Sequence, residues 1–464
     1  MGRLIIVSNR VNPPSSAGDE SVGGLAMALA AALRGGSGLW FGWTGKTASA
    51  YSGQLKVERI GGVMTATIDL DEAGFCNYYN GYSNKTLWPL LHYRPDLAVY
   101  DRDFQHGYQL VNERFADALA PLVEPNDLIW IHDYHLIPLG RELRRRGFAN
   151  RIGFFLHVPW PAAQVFVNLP EHRELVQALF AYDLLGFQIQ DYLQAFEDYV
   201  VSQAAGRRTE EGMLSAFDRS VETGVFPIGI DAPEFARLAR TQTARSSRER
   251  LIEATAGRRL IVGVDRLDYS KGMEERFLGF ERFLADHAEL RSKVLMLQIA
   301  PVSREQVLAY QEIRSRLDAL SGRINGEYSD VDWTPLRYVN KSYRRDELAG
   351  IYAASCVGLV TPLRDGMNLV AKEYVAAQDS EDPGVLILSQ FTGAARELDA
   401  ALLVNPNSRE EVADALRRAL AMDRHERTER WQALYDVVSR NDVQAWRDSF
   451  VARLRATRGL AIAA

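Results

Sequence analysis

The residues able to do chemistry in this 464-residue chain gather where short apolar runs end. After LIIVS (4–8) come Asn9 and Arg10, and Gly23-Gly24 opens a helical pattern a little further on. After DLIWI (127–131) come His132, Asp133 and His135, and after RIGFFL (151–156) comes His157. RLIVGV (259–264) leads into Asp265, Arg266, Asp268 and Lys271, and VLMLQIA (294–300) into Arg304. CVGLV (356–360) leads into Asp365, Gly366, Asn368 and Glu373. Arg266 and Lys271 offer a planar fork and a point charge at one turn, which suits a diphosphate; the plainer alternative is a solvated charge pair. Gly23-Gly24 before LAMALAAAL lets backbone N–H groups at a helix start approach an anion, although simple turn chemistry uses the same residues. Around Gly366, Asn368 is placed to cap a helix whose first amides suit a phosphate or a sugar hydroxyl. Asp365 beside them accepts a hydroxyl, and Glu373, over a turn further on, repels phosphate but can hold a ribose diol. Sugar, diphosphate and ribose would then lie in line. The alternative is a capped helix with a surface Lys372–Glu373 pair.

Such residues need equivalent scaffolds behind them. The runs named above, with LLGFQ (184–188) and VLILS (385–389), are continuously apolar and not alternating. That pattern marks strands buried on both faces of a parallel sheet. Helical patterns fall between them at 22–33, 135–146, 273–287, 303–320 and 409–421. The β-α-β-α order gives an α/β class, in which ligands sit beyond the carboxyl ends of the strands. The polar sets therefore predict two facing half-sites. A chain of 464 residues exceeds one ordinary core and predicts two or three domains. We place the junction in the Arg-, Ser-, Thr- and Ala-rich stretch 206–258, at 228/229 beside VFPIGI (225–230). The last helix, VQAWRDSFVARL (443–454), puts Val443, Trp446, Phe450, Val451 and Leu454 near one face and must dock it.

Composition narrows the classes. Hydrophobic residues make up 47% and charged residues 25%, as in ordinary globular proteins. No apolar run reaches the ~18 residues of a membrane span, and MGRLIIVSNR reads as a first buried strand, not a signal peptide. Two cysteines, Cys76 and Cys356, lie far apart and fit a reducing cytoplasm. A net charge of -6 argues against general nucleic-acid binding. GWTGKTAS (42–49) ends like a phosphate-binding loop, but Trp40 stands where its first glycine is required, so an ordinary turn is expected. His132 and His135 lack a third ligand by spacing, so capping and packing are expected and no metal. The missing GxGxxG weakens a nicotinamide reading.

In this order, the stretches VSNR (7–10), GG (23–24), LWFGW (39–43), YYNGYSNKTLWP (78–89), IHDYH (131–135), GFFLHVPWP (153–161), DRLDYSKG (265–272), QIAPVSR (298–304), GRINGEY (322–328) and TPLRDGMNLVAKEYVAAQ (361–378) resemble the trehalose-6-phosphate synthases. The resemblance covers nearly the whole chain. It implies a GT-B fold, two Rossmann-like domains facing a cleft: an acceptor domain (1–228), a nucleotide-sugar domain (229–442) and a C-terminal helix (443–464) crossing back to the first. It implies transfer of glucose, with retention, from a nucleoside diphosphate glucose to glucose 6-phosphate. UDP-glucose is the first choice of donor, with GDP- or ADP-glucose as alternatives. Arg10, Tyr79, Trp88, Asp133 and Arg304 would meet the acceptor, the two arginines on its phosphate. Gly23, Gly24, Leu369, Val370, Arg266 and Lys271 would hold the diphosphate, and Glu373 the ribose. His157, Asp365, Gly366, Met367 and Asn368 would meet donor glucose, and Trp88 and Val158 match positions tied to anomer selectivity. Tyr343 replaces a family phenylalanine near the base and Trp160 a second one in the HVPWP stretch, which leaves base preference open. No cofactor beyond the substrates, no nucleic acid and no membrane is implied, and the expected partner is a second copy, as a dimer or tetramer. With Asp133 assigned to acceptor hydroxyls, the resemblance favours a front-face route over a covalent one. The rival readings are a pseudo-glycosyltransferase joining a nucleotide-cyclitol to an aminocyclitol phosphate, a silent sugar-sensing module, and an oxidoreductase.

Overall fold

A computed structural model describes residues 2–12, 24–33, 38–60, 63–304 and 306–457. The chain forms two compact units: one runs to Ile228 and takes the chain back from Val443, and the other spans Gly229–Asp442.

The first unit is built on a 10-stranded sheet. Its order in space is Lys56–Ile60, Val63–Asp71, Leu39–Ala48, Leu4–Arg10, Leu128–His132, Ile152–Phe155, Leu184–Phe187, Arg219–Val225, Leu214–Ala216 and Arg207–Arg208. The middle is parallel: Ile5 pairs with Leu39 on one side and Ile129 on the other. Both edges are antiparallel, which continuous apolar runs did not signal. Strand order reverses between Leu4–Arg10 and Leu128–His132, and in an open α/β sheet the crevice at that reversal takes the ligand.

The second unit has a 6-stranded, wholly parallel sheet in the order Leu336–Val339, Val294–Ile299, Arg259–Val264, Val357–Val360, Val385–Ser389 and Leu402–Val404. Its reversal falls between Arg259–Val264 and Val357–Val360, the strands that precede Arg266–Lys271 and Asp365–Asn368. Its core joins Ile261, Met296, Leu359 and Ile387 to Phe277, Phe280 and Phe283 on one face of helix Met273–Asp286.

The returning helix Val443–Ala456 buries Val443, Trp446, Phe450, Val451 and Leu454 in the first unit. Two glycines let it approach: a Cβ at Gly153 or at Gly186 would come 2.7 Å from a Phe450 ring carbon. Gln444 and Arg447 donate to the carbonyls of Ala31 and Ala32, capping the open end of helix Gly24–Leu33.

Several expectations are corrected. GWTGKTAS is no turn: all but its last residue lies in strand Leu39–Ala48, with a register shift between Trp43 and Thr47. The helix expected over 135–146 is a 3-10 turn, Tyr134–Leu136, then a helix, Leu139–Arg145, because Pro138 cannot donate within a continuous helix. The helix expected at 303–320 starts later and runs over Leu308–Tyr328. The stretch 206–258 is more than a junction; it holds the last three strands at one end of the sheet and two helices. Among the described residues no helix is long and apolar enough to cross a membrane.

Candidate active site

Each unit brings its polar residues to the carboxyl ends of the strands beside its reversal point. In the second unit the organising group is one the sequence reading overlooked. Arg276 is fully buried on helix Met273–Asp286. It donates to Asp265 (2.7 Å), Gln298 (2.8 Å), Thr361 (2.9 Å) and the carbonyl of Lys271 (3.3 Å). One guanidinium thus ties the ends of three adjacent strands to the turn carrying Lys271. A signal was available: Arg276 falls in the apolar stripe of Met273, Phe277, Phe280 and Phe283, where an unpartnered charge would be prohibitive. Gly272 completes the turn at φ 61°, and a Cβ there would come 2.4 Å from the carbonyl oxygen of Thr361.

Lys271 and Asp365, expected to serve diphosphate and sugar, pair with each other, Nζ to Oδ2 at 2.5 Å. Asn368 donates to the same carboxylate at 3.1 Å. It also caps helix Leu369–Ala377 by accepting from the Ala371 amide, at φ 76°. Gly366 packs its carbonyl against Gly393, where a Cβ would come within 2.1 Å. Met367 is buried, and Leu369 and Val370 open the helix half-buried, so their amides cluster at its N-terminus.

A second knot forms around Asp268. It accepts from Ser270 (backbone 3.0 Å, hydroxyl 2.9 Å) and Tyr310 (2.9 Å), and lies 3.4 Å from Arg304 and 4.0 Å from Arg266. Burial alone would raise this carboxyl; the charges of Arg304, Arg266 and Lys271 and the Ser270 amide outweigh it and hold Asp268 below the ordinary carboxylate range. Arg304 takes a left-handed backbone (φ 52°) that aims it into this group, while Arg266 stays about half exposed. Glu373 is pushed up by burial, against the pull of Arg345. The surface Lys372–Glu373 pair of the alternative reading does not form: Lys372 turns fully inward to Glu397, 2.6 Å away. Tyr343 is half-buried with Lys341 5.7 Å from its ring centre.

The first unit works mainly through rings and backbone amides. Arg10 is exposed at the end of its strand, and its guanidinium lies over Gly45 (φ 89°), where a Cβ would come 2.3 Å from Nε. Tyr79 rides on the π-helical segment Phe75–Leu87, stacked on His135 (6.0 Å, 14°) and edge-on to Trp43. That stacking is what His135 does. Trp88, buried, packs on His92 (4.0 Å) and Tyr134 (5.8 Å), and Val158 is buried near the chain's His157. Asp133 takes φ 75°; its amide donates to Phe155 (2.8 Å) and its Oδ1 accepts from the His157 amide (3.2 Å). Trp160 is a core ring against Phe166 and Phe196, not one open to a nucleotide base. Gly24 opens helix Gly24–Leu33, and Gly23 lies outside the described residues.

Two α/β units, each with its polar residues at the reversal point of a largely parallel sheet, make this a glycosyltransferase of the GT-B class. The profile of glycosyltransferase family 20 matches residues 3–456. The chain belongs to that family, among its trehalose-6-phosphate synthases. It is 47% identical over 459 residues to the trehalose-6-phosphate synthase of Sinorhizobium fredii, covering 98% of this chain and 99% of that one. A crystal structure of the UDP-forming α,α-trehalose-phosphate synthase of Burkholderia xenovorans in complex with glucose-6-phosphate matches with a TM-score of 0.94 at 49% identity, over 98% of this chain and 100% of that one. An E. coli structure bound with UDP-2-fluoro glucose matches at 45% identity with a TM-score of 0.94, over 99% and 100% of the two chains.

Proposed function

We propose that the protein transfers glucose from UDP-glucose to glucose 6-phosphate with retention, giving α,α-trehalose 6-phosphate. The observation that carries this reading is the grouping of Arg266, Arg304 and Lys271 around Asp268 and Asp365 at the second unit's reversal point. Three cations over two acids leave a net positive place for the phosphate groups of donor and acceptor together. Relatives solved with glucose-6-phosphate and with a UDP-sugar analogue support the two substrates.

In this reading Arg266, Lys271 and the amides of Gly24, Leu369 and Val370 hold the diphosphate and Glu373 the ribose. His157, Asp365 and Gly366 to Asn368 hold the donor glucose. Arg10, Tyr79, Asp133 and Arg304 hold the acceptor, with Trp88 and Val158 shaping its approach. The bond from glucose C1 to the diphosphate oxygen breaks, and a bond from C1 to the acceptor hydroxyl oxygen forms on the same face. The hydroxyl proton passes to the departing diphosphate. Cations fixed at the leaving group before reaction supply the main stabilisation, since they need not reorganise as charge develops. Asp133 orients the acceptor; its carboxylate is already engaged by the His157 amide, which makes it a weaker nucleophile. No metal enters the scheme, because Arg266 and Lys271 supply the positive charge.

The test is one assay panel: UDP-, GDP- and ADP-glucose, each with glucose 6-phosphate, with the anomeric product resolved by NMR. UDP-glucose should give the highest kcat/KM and an α,α product. Preference for another base would overturn the donor assignment, and an inverted product the stereochemical one. Mass spectrometry of enzyme held with a slow fluorinated donor should show no hexosyl adduct on Asp133.

A further inference from the structure

His132 has no part in the reading above, yet its imidazole is fully buried at the end of strand Leu128–His132. Its Nδ1 lies 3.0 Å from Nε2 of His157. Its Nε2 meets no hydrogen-bonding partner among the described residues. Trp130 packs on it with ring centres 4.5 Å apart, Trp446 of the returning helix at 5.9 Å and Phe155 at 6.3 Å. The indole N–H groups of Trp130 and Trp446 are themselves buried without an acceptor.

Burial lowers both imidazoles well below their ordinary range, so both rings are neutral near pH 7. Two neutral imidazoles facing nitrogen to nitrogen share one proton between them, so one donates and the other accepts. If His157 donated, His132 would carry its own proton on Nε2, a third orphan donor beside two indole donors. If His132 donates from Nδ1, Nε2 becomes a lone pair in a neighbourhood that offers only donors. An unmet buried donor carries its full desolvation penalty, so the second arrangement is favoured.

We propose that His132 is a positioning residue that fixes His157 as its Nδ1–H tautomer, so that the nitrogen His157 presents to substrate is a hydrogen-bond donor. The inference rests on the reading of His157 as a contact to the donor sugar. A hydroxyl oxygen of that sugar, accepting a hydrogen bond, is the group such a nitrogen recognises. The returning helix takes part, because Trp446 closes the apolar wall that denies Nε2 an acceptor.

The full-length protein labelled with 15N-histidine tests this directly. His157, assigned by its loss in His157→Gln, should show a pyrrole-type Nδ1 and a pyridine-type Nε2. His132→Phe keeps a ring against Trp446 but cannot donate. It should release His157 to the opposite tautomer and raise the donor KM about 2- to 13-fold, with the acceptor KM unchanged. His132→Asn loses the ring but keeps an N–H donor two bonds past Cβ, where Nδ1 stands; its donor KM should stay within about twofold of the wild type. A purely structural role would reverse that order, with Asn the worse substitution. A wild-type His157 protonated at Nε2, or a His132→Phe protein with unchanged tautomer and donor KM, would overturn the proposal. An unchanged donor KM in His157→Ala would instead remove the sugar-contact reading, while the tautomer measurement would still decide the role of His132.

Discussion

The two units carry their polar groups at the same topological place but hold them by different physics. In the second, cations and carboxylates hold one another: Lys271 on Asp365, Arg304 and Arg266 around Asp268, Arg276 on Asp265. In the first, exposed Arg10 lies over a glycine, Asp133 accepts from the His157 amide, and the remaining groups are neutral rings packed on rings. The difference matches the tasks proposed for them. A diphosphate leaving group gains charge during reaction and needs cations fixed in advance, which partner carboxylates provide. A sugar hydroxyl needs shape and oriented dipoles, and buried neutral rings provide those without the cost of burying charge.

The sharpest way to break the comparison is to remove the central cation of the second unit. Lys271→Ala takes away the positive charge beside Asp365 and leaves that carboxylate facing an incoming diphosphate. We expect kcat with UDP-glucose to fall about 100- to 1,000-fold, the size of effect seen when a preorganised charge-stabilising donor is lost. A fall of less than tenfold in a steady-state assay would mean that charge at this reversal point is structural.

The contrast between units also explains what could be read from the sequence. Continuous apolar strands such as RLIVGV and VLILS announced the parallel cores, and the polar residues after them fall at the carboxyl ends of those strands. Lys271, Asp365 and Asn368 were legible because they follow strands directly. Arg276 was not, because it acts from inside a helix, where only its place in an apolar stripe betrays it. The antiparallel edge strands escaped because residues such as Arg207, Arg208 and Arg219 face solvent and lack the apolar pattern. Strand Leu39–Ala48 was hidden by its bulge, where Gly45 and Lys46 imitate a loop. Phe75–Leu87 is wound as a π-helix, whose period no helical pattern of apolar residues records.

Arg304 sharpens the comparison, since it belongs to the charged unit yet is proposed to serve the acceptor phosphate. Its left-handed backbone and its contact with Asp268 place it beside Arg266, so donor and acceptor roles must be separated by experiment. Charge-assisted hydrogen bonds contribute roughly 1.5–3 kcal/mol, so Arg304→Ala should lower kcat/KM for glucose 6-phosphate about 10- to 150-fold. Nucleotide affinity by calorimetry should change little. Equal losses for the two ligands would assign Arg304 to the donor site and make the second unit a single electrostatic network.

The smallest expected effect tests the neutral side of the comparison. His132 is held well below the usual histidine range by burial and by His157, and burial lowers His157 to about 3. Asp133, whose carboxylate accepts from the His157 backbone amide, does not offset the burial. Between about pH 3 and 6.5 the unfolded chain therefore binds protons that the folded rings refuse. Stability attributable to the pair is complete above about pH 6.5 and declines as pH falls below it. Each ring adds a slope of at most about 1.4 kcal/mol per pH unit, and partial hydration of half-buried His157 reduces its share. Asp268 behaves oppositely: its depressed carboxyl begins to withdraw stability only below its ordinary value of 3.8. Across about pH 5 to 6.5 the histidines thus act without it. Thermal midpoints of the wild type should fall over that window more steeply than those of His132→Phe, which has one buried imidazole fewer. Parallel slopes would show that His132 titrates as it does in water, and that the first unit's site is not held by neutral rings.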